Sequence, residues 1–178
     1  MHRFAFAFAA AAIVCACAEL PESQPLPPGG FELTGRVAIR YGKAAESGKL
    51  FWRHSDQTDD LLITSPLGQG IARVSREGGE FRLVTRDSGE HRAADAESLT
   101  ESALGWRLPL GGLSYWVQGR PGPGRSAELS RDAEGRPQDL RQDGWRVEYE
   151  AFREARPAKL RMSRDDLEIR LVIDRWRK

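Results

Sequence analysis

Cys15 and Cys17 are the two thiols of this 178-residue chain, and they stand two positions apart at the end of its first apolar run, I-V-C-A-C-A-E-L at residues 13–20. Three chemistries use cysteines placed so close. A disulfide between them would close a strained ring, because extended side chains at i and i+2 point to opposite faces. A tetrahedral metal site wants about four ligands, and no histidine lies nearby in the sequence to complete one. A lipoprotein processing site fits better: branched Val14 at −3, small Ala16 at −1, then Cys17. The same frame set on Cys15 puts bulky Val14 at −1 and fails. Cleavage after Ala16 and lipid attachment on Cys17 are therefore expected, with Cys15 discarded.

The preceding residues agree with that assignment. Phe4–Val14 (FAFAFAAAAIV) follows a single early cation, Arg3, and is too short to cross a bilayer as a permanent helix. Residues 1–16 read as a secretory signal, which places the mature protein outside the cytoplasm. Without Arg3 the 27 Lys and Arg become 26, matched by 26 Asp and Glu. A neutral body has no long-range attraction to nucleic acid or anionic lipid. It also holds no cysteine, so the core alone must stabilise it.

Residues 17–30 form the next unit, a lipidated tether. Ala18–Gly30 (AELPESQPLPPGG) has four prolines and reads as extended chain. From residue 31 to 178 the character is that of one folded body. FELTGRVAIRY puts Phe31, Leu33, Val37, Ile39 and Tyr41 on one face and Glu32, Thr34, Arg36 and Arg40 on the other, the period of a half-buried strand. Similar segments are Lys49–His54, Asp60–Thr64, Gly70–Arg76 and Glu80–Arg86. Later come Ser126–Ser130, Gln138–Gln142, Trp145–Phe152, Ala158–Ser163 and Asp166–Trp176. Short strands separated by turn signals indicate an antiparallel sandwich or barrel.

Two segments break the rhythm. Asp95 can cap a helix that closes on Gly105, with Leu99, Ala103 and Leu104 at helical spacing. L-P-L-G-G-L-S-Y-W-V-Q-G-R-P then places Leu113, Trp116 and Val117 at i, i+3 and i+4 before Gly119 and Pro121. Both helices must cover one face of the sheet, as a lid. Trp52, Trp116, Trp145 and Trp176 fall on inward faces, with Trp106 beside the helices. They are either ordinary core or the wall of an apolar cavity. Ser65-Pro66-Leu67-Gly68 has the form of a β-turn with Leu67 at its corner. That leucine either meets water or folds back on the core.

No catalytic constellation stands out. His54 and His91 lie in no metal-ligand spacing, and no G-x-S-x-G or P-loop pattern occurs. The acid pairs Asp59/Asp60 and Asp165/Asp166 sit at turn signals and read as solvated loop carboxylates. The expectation is a non-enzyme without cofactor or metal.

Several stretches together resemble the LolB family, the outer-membrane lipoprotein receptors of Gram-negative bacteria. They are FELTGRVAIR, GKLFWRH, ITSPLGQG, LPLGGLSYWVQGRP, QDGWRVEYE and LEIRLVIDRW, in order from Phe31 to the C-terminal end. The resemblance implies a mainly β fold, an unclosed antiparallel barrel of about eleven strands, with a short-helix lid over a hydrophobic cavity. It implies a monomer that takes lipoproteins from a LolA-like periplasmic carrier and releases them into outer-membrane lipids without nucleotide. Acyl chains would sit among Trp52, Ile63, Leu99, Leu113, Trp116, Val117, Trp145, Val147 and Ile173. The loop Pro66-Leu67-Gly68 would serve membrane targeting, and Cys17 would anchor the chain on the periplasmic face of the outer membrane. Ala18 is not the aspartate that in some bacteria retains lipoproteins in the inner membrane. In one respect the sequence departs from the family: the short AELPESQPLPPGG stands where members carry a helix before the first strand. The competing expectation is a structural or assembly lipoprotein that binds a protein partner and no lipid chain.

Overall fold

The computed structural model describes residues 25–27, 29–86 and 88–178. The signal segment 1–16, Cys17 and most of the tether lie outside these residues. Six strands come first: β1 (Phe31–Tyr41), β2 (Ala44–His54), β3 (Asp59–Thr64), β4 (Gly70–Glu77), β5 (Glu80–Thr85) and β6 (Gly89–Ala93). Helices α1 (Ala96–Leu104) and α2 (Leu110–Trp116) follow. Then come β7 (Ala127–Arg131), β8 (Pro137–Gln142), β9 (Trp145–Arg153), β10 (Arg156–Arg164) and β11 (Leu167–Arg177). No helix precedes β1 among the described residues.

The eleven strands make one antiparallel sheet in the order β6-β5-β4-β3-β2-β1-β11-β10-β9-β8-β7. Each half is a meander, and pairing of β1 with β11 joins the two halves. β6 and β7 are the edges and do not pair, so the barrel stays open. The helices are the connection between those edges. Their apolar side chains and the inward residues of the sheet form one buried cluster, which requires the sheet to curl around it.

Alternation explains most of this. In β1, Phe31, Leu33, Val37 and Ile39 are buried, and in β11 so are Leu167, Ile169, Leu171 and Ile173. β6 was not expected, because GEHRA carries no apolar alternation. As an edge strand flanked by one neighbour it needs none, and its charges pair instead: Arg92 bridges Glu90 at 2.9 Å and Glu80 at 2.9 Å. The helices begin and end where expected. Asp95 accepts from the backbone N–H of Glu97 at 2.9 Å, and Gly105 takes the left-handed conformation at φ 79°.

One expectation is corrected. Asp59 is not a loop carboxylate but the first residue of β3, only 5% exposed. It accepts from Trp52 Nε1 at 3.0 Å, His54 Nδ1 at 2.7 Å and Arg76 Nε at 2.7 Å. Antiparallel pairing sets these donors around it, since Asp59 lies opposite His54 on one side and Arg76 on the other. Its neighbour Asp60 points outward and forks onto Arg73 at 2.7 and 2.8 Å. The acid pair is thus split across the two faces by the strand's period of two.

Candidate functional site

The loop between β3 and β4 forms as a tight turn. Gly68 N–H donates to Ser65 O at 2.8 Å, Gln69 N–H to Ser65 Oγ at 3.2 Å, and Ser65 N–H to Gln69 O at 2.7 Å. Gly68 stands at φ 87°, a value an L side chain rarely adopts. These bonds hold Leu67 at the corner, 90% exposed, where Tyr41 at 40% is the other large hydrophobic residue classed as exposed among the described residues.

Beside that loop the sheet has a gap. β2 pairs with β3 only as far as Lys49 and Thr64, so Ala44–Gly48 overhang the end of β3. Gly48 marks the departure point: a Cβ there would stand 2.3 Å from Thr64 O. In the gap lies an apolar chamber of about 70 Å³, walled by Val37, Ile39, Ile63, Ile71, Leu104 and Trp106 among others. It shares Ile39, Ile71, Leu104 and Trp106 with an outer vestibule of about 600 Å³, whose rim includes Ser65, Thr85 and Arg86. Ser65 is the residue that starts the leucine turn. Chamber, vestibule and turn therefore adjoin.

The sequence-derived cavity residues distribute unevenly. Ile63 lines the chamber. Trp52, Leu99, Leu113, Trp116, Val117, Val147 and Ile173 are buried in the continuous core instead. Trp145 is also 2% exposed and borders two recesses of the surface. The reason is bulk: Trp116 and Trp145 face each other with centroids 6.0 Å apart, filling the space beneath α2. Val37, Ile39, Ile71 and Leu104 were missed as wall residues. Their apolar faces were legible, but not the gap into which they look.

The two helices are held differently. Trp116 Nε1 donates to the buried Gln142 Oε1 at 2.9 Å, and Gly122 N–H donates to the same oxygen at 2.7 Å. Tyr149 Oη donates to Trp116 O at 2.9 Å. Gly112 makes room for the Trp116 ring, since a Cβ there would approach it to 2.4 Å. So α2 is bonded to β8 and β9. In α1, Leu99 and Ala96 pack into the core, and Thr100 Oγ1 accepts from Leu108 N–H at 2.8 Å to close the inter-helix linker. Among the described residues, side-chain hydrogen bonds from α1 to the sheet core are not seen. The half of the lid that bears Leu104 over the chamber thus rests on apolar contact and a long ion pair, Glu97 to Arg164 of β10 at 3.7 Å.

Burial pushes the Tyr149 phenol well above its ordinary range. Because its folded pKa is raised, Tyr149 adds stability that is present below its unfolded pKa of about 10 and lost as pH rises toward the folded value. In an alkaline phenolate titration, Tyr149 should ionise only as the protein unfolds. Tyr149→Phe should remove that late step.

Comparison with known proteins accords with the geometry. The family model described as Outer membrane lipoprotein LolB matches residues 29–176. An outer-membrane lipoprotein LolB of Thiobacillus denitrificans is 40% identical over 166 residues, covering 91% of this chain and 89% of that one. The Nitrosomonas europaea protein of the same name is 40% identical over 152 residues, covering 82% and 72%. One from Pseudomonas aeruginosa is 37% identical over 150 residues, covering 82% and 73%. With a matched region that takes in both helices and every strand but the last residue of β11, this chain belongs to the LolB family of outer-membrane lipoproteins.

Proposed function

We propose that the protein receives lipoproteins from a LolA-like periplasmic carrier and releases them into the outer membrane, holding their acyl chains in the apolar chamber. The observation that carries this reading is the junction of an apolar pocket with an exposed leucine turn, Ser65 belonging to both. An acyl chain in water costs about 0.8 kcal/mol per CH₂, so a client needs a covered route between two hydrophobic sites. Chain leaving the chamber emerges beside Leu67, the side chain best placed to enter lipid. A chamber of about 70 Å³ is too small for a full chain. Loading therefore requires α1 and its linker to lift, with α2 staying on Gln142 and Tyr149. Downhill affinity from carrier to receptor to bilayer suffices to drive transfer without nucleotide.

The anchor would be lipidated Cys17, followed by residues 18–30 as tether and 31–178 as a monomeric binding body. Gly30 enters β1 at Phe31, which lies opposite His54, itself opposite Asp59 of β3. The leucine turn lies beyond the other end of β3, some 20–25 Å away at ~3.3 Å per residue. Arg53 Nη2 donates to Pro25 O at 3.1 Å, so residues 18–24 would supply the reach, roughly 20 Å at ~3.1 Å per residue, for anchor and Leu67 to meet one membrane. The test is to mix a carrier loaded with radiolabelled lipoprotein and this protein, then separate them. The label should move to this protein, and onward to added liposomes. Label that stays on the carrier would rule the reading out in favour of a lipoprotein that binds a protein partner and no lipid.

A further inference from the structure

Glu46 stands in the wall of the apolar chamber and of its vestibule. It lies opposite Ile39 in the β1–β2 register and shares its face of β2 with Gly48, Leu50 and Trp52, so its carboxylate is directed to the inner side of the overhang. No ion pair or hydrogen bond joins it to another described residue. Arg86, the cation of the vestibule rim, is not bonded to it: its Nη2 donates to two uncharged oxygens, Gln69 Oε1 at 3.3 Å and Gly70 O at 3.4 Å. Among the described residues, the chamber wall carries one charge, and that charge is negative.

An uncompensated carboxylate beside an acyl pocket costs little while water reaches it. It becomes costly when a second anion is drawn alongside. Two lipid classes compete for such a pocket. A lipid-modified protein N-terminus carries its chains on glycerol esters, a thioether and an amide, with no phosphate. A phospholipid carries the same chains next to a phosphate anion, and a protein that touches a bilayer meets it in excess.

We infer that Glu46 is a specificity-determining residue that keeps anionic phospholipids out of the acyl pocket while admitting the uncharged glyceryl head of a lipoprotein. This rests on the acyl-chain reading above and adds the basis of discrimination. One unit charge at ~10 Å, acting through an effective dielectric of ~20, alters affinity on the order of tenfold. Being partly exposed, the effect is screened by salt.

The test uses two fluorescent probes with identical acyl chains, one a diacylglycerol and one the corresponding phosphatidic acid, titrated into the purified protein. The wild type should prefer the diacylglycerol by on the order of tenfold at low ionic strength, and the preference should shrink as salt is added. Glu46→Gln, nearly isosteric and with no bonded partner to lose, should narrow the ratio by tightening the phosphatidic acid alone. If both probes bind and the ratio is the same in the variant, the inference is overturned and the acyl pocket stands. Tighter binding of phosphatidic acid by the wild type, abolished in Arg86→Gln, overturns it in favour of a phosphate-binding rim. Failure of both probes to bind removes the acyl pocket and the inference together.

Discussion

Replacing Leu67 with glutamate should reduce delivery of bound lipoprotein into liposomes by about ten- to a hundredfold, with uptake from the carrier unchanged. The range follows from the roughly 1.5–3 kcal/mol that a fully exposed leucine gains on leaving water. Leu67 has that whole gain available, being 90% exposed in the folded protein. The substituted carboxylate would in addition resist entry into lipid. Stability should hardly change, because the turn is maintained by Ser65, Gly68 and Gln69 rather than by the leucine side chain. Carrier-to-receptor transfer and receptor-to-liposome transfer are measured separately, with urea unfolding as the control. Delivery at the wild-type rate would remove Leu67 from the membrane step; loss of uptake would place it in the pocket instead.

The largest effect on stability is expected at Asp59. Asp59→Ala removes the carboxylate that joins Trp52, His54 and Arg76, and breaking such a buried pair costs about 3–5 kcal/mol because the partner cation is left behind. At about 2–4 °C per kcal/mol for a chain of this size, Tm should fall by roughly 6–20 °C. Asp60→Ala is the natural comparison. Its partner Arg73 and Asp60 itself keep 56% and 34% of their side-chain surface in water, so the loss should stay within about 1 kcal/mol. Two adjacent aspartates would then differ severalfold in their effect on the urea midpoint. Equal effects would contradict the division of β3 into a buried and a solvated face.

That pair of aspartates also shows where reading the sequence stops. Both sit beside a turn signal, and local composition assigns them to solvent. Only the pairing of β3 with β2 and β4 places three donors around one of them. β6 escaped notice for a related reason: its place in the sheet depends on β5 beside it, not on any apolar pattern of its own. By contrast, FELTGRVAIRY coincides with β1 residue for residue, and Asp95 and Gly105 bound α1 as their types require. The turn at Ser65–Gly68 was legible as well, down to leucine at its corner.

The division follows the range of the forces involved. Side-chain alternation, helix caps and proline–glycine turns act over two to five residues, so the linear order of residues determines the strands other than β6, the helices and the leucine turn by itself. Whether Trp116 and Trp145 fill space or line it depends on which residues from distant strands meet them, and Gln142 and Tyr149 decide that. Where the pocket opens depends on β2 outlasting β3 by the overhang from Ala44 to Gly48, a matter of register between strands. No local spacing encodes that register. Tertiary pairing alone set the apolar chamber beside Leu67 and turned Glu46 toward it.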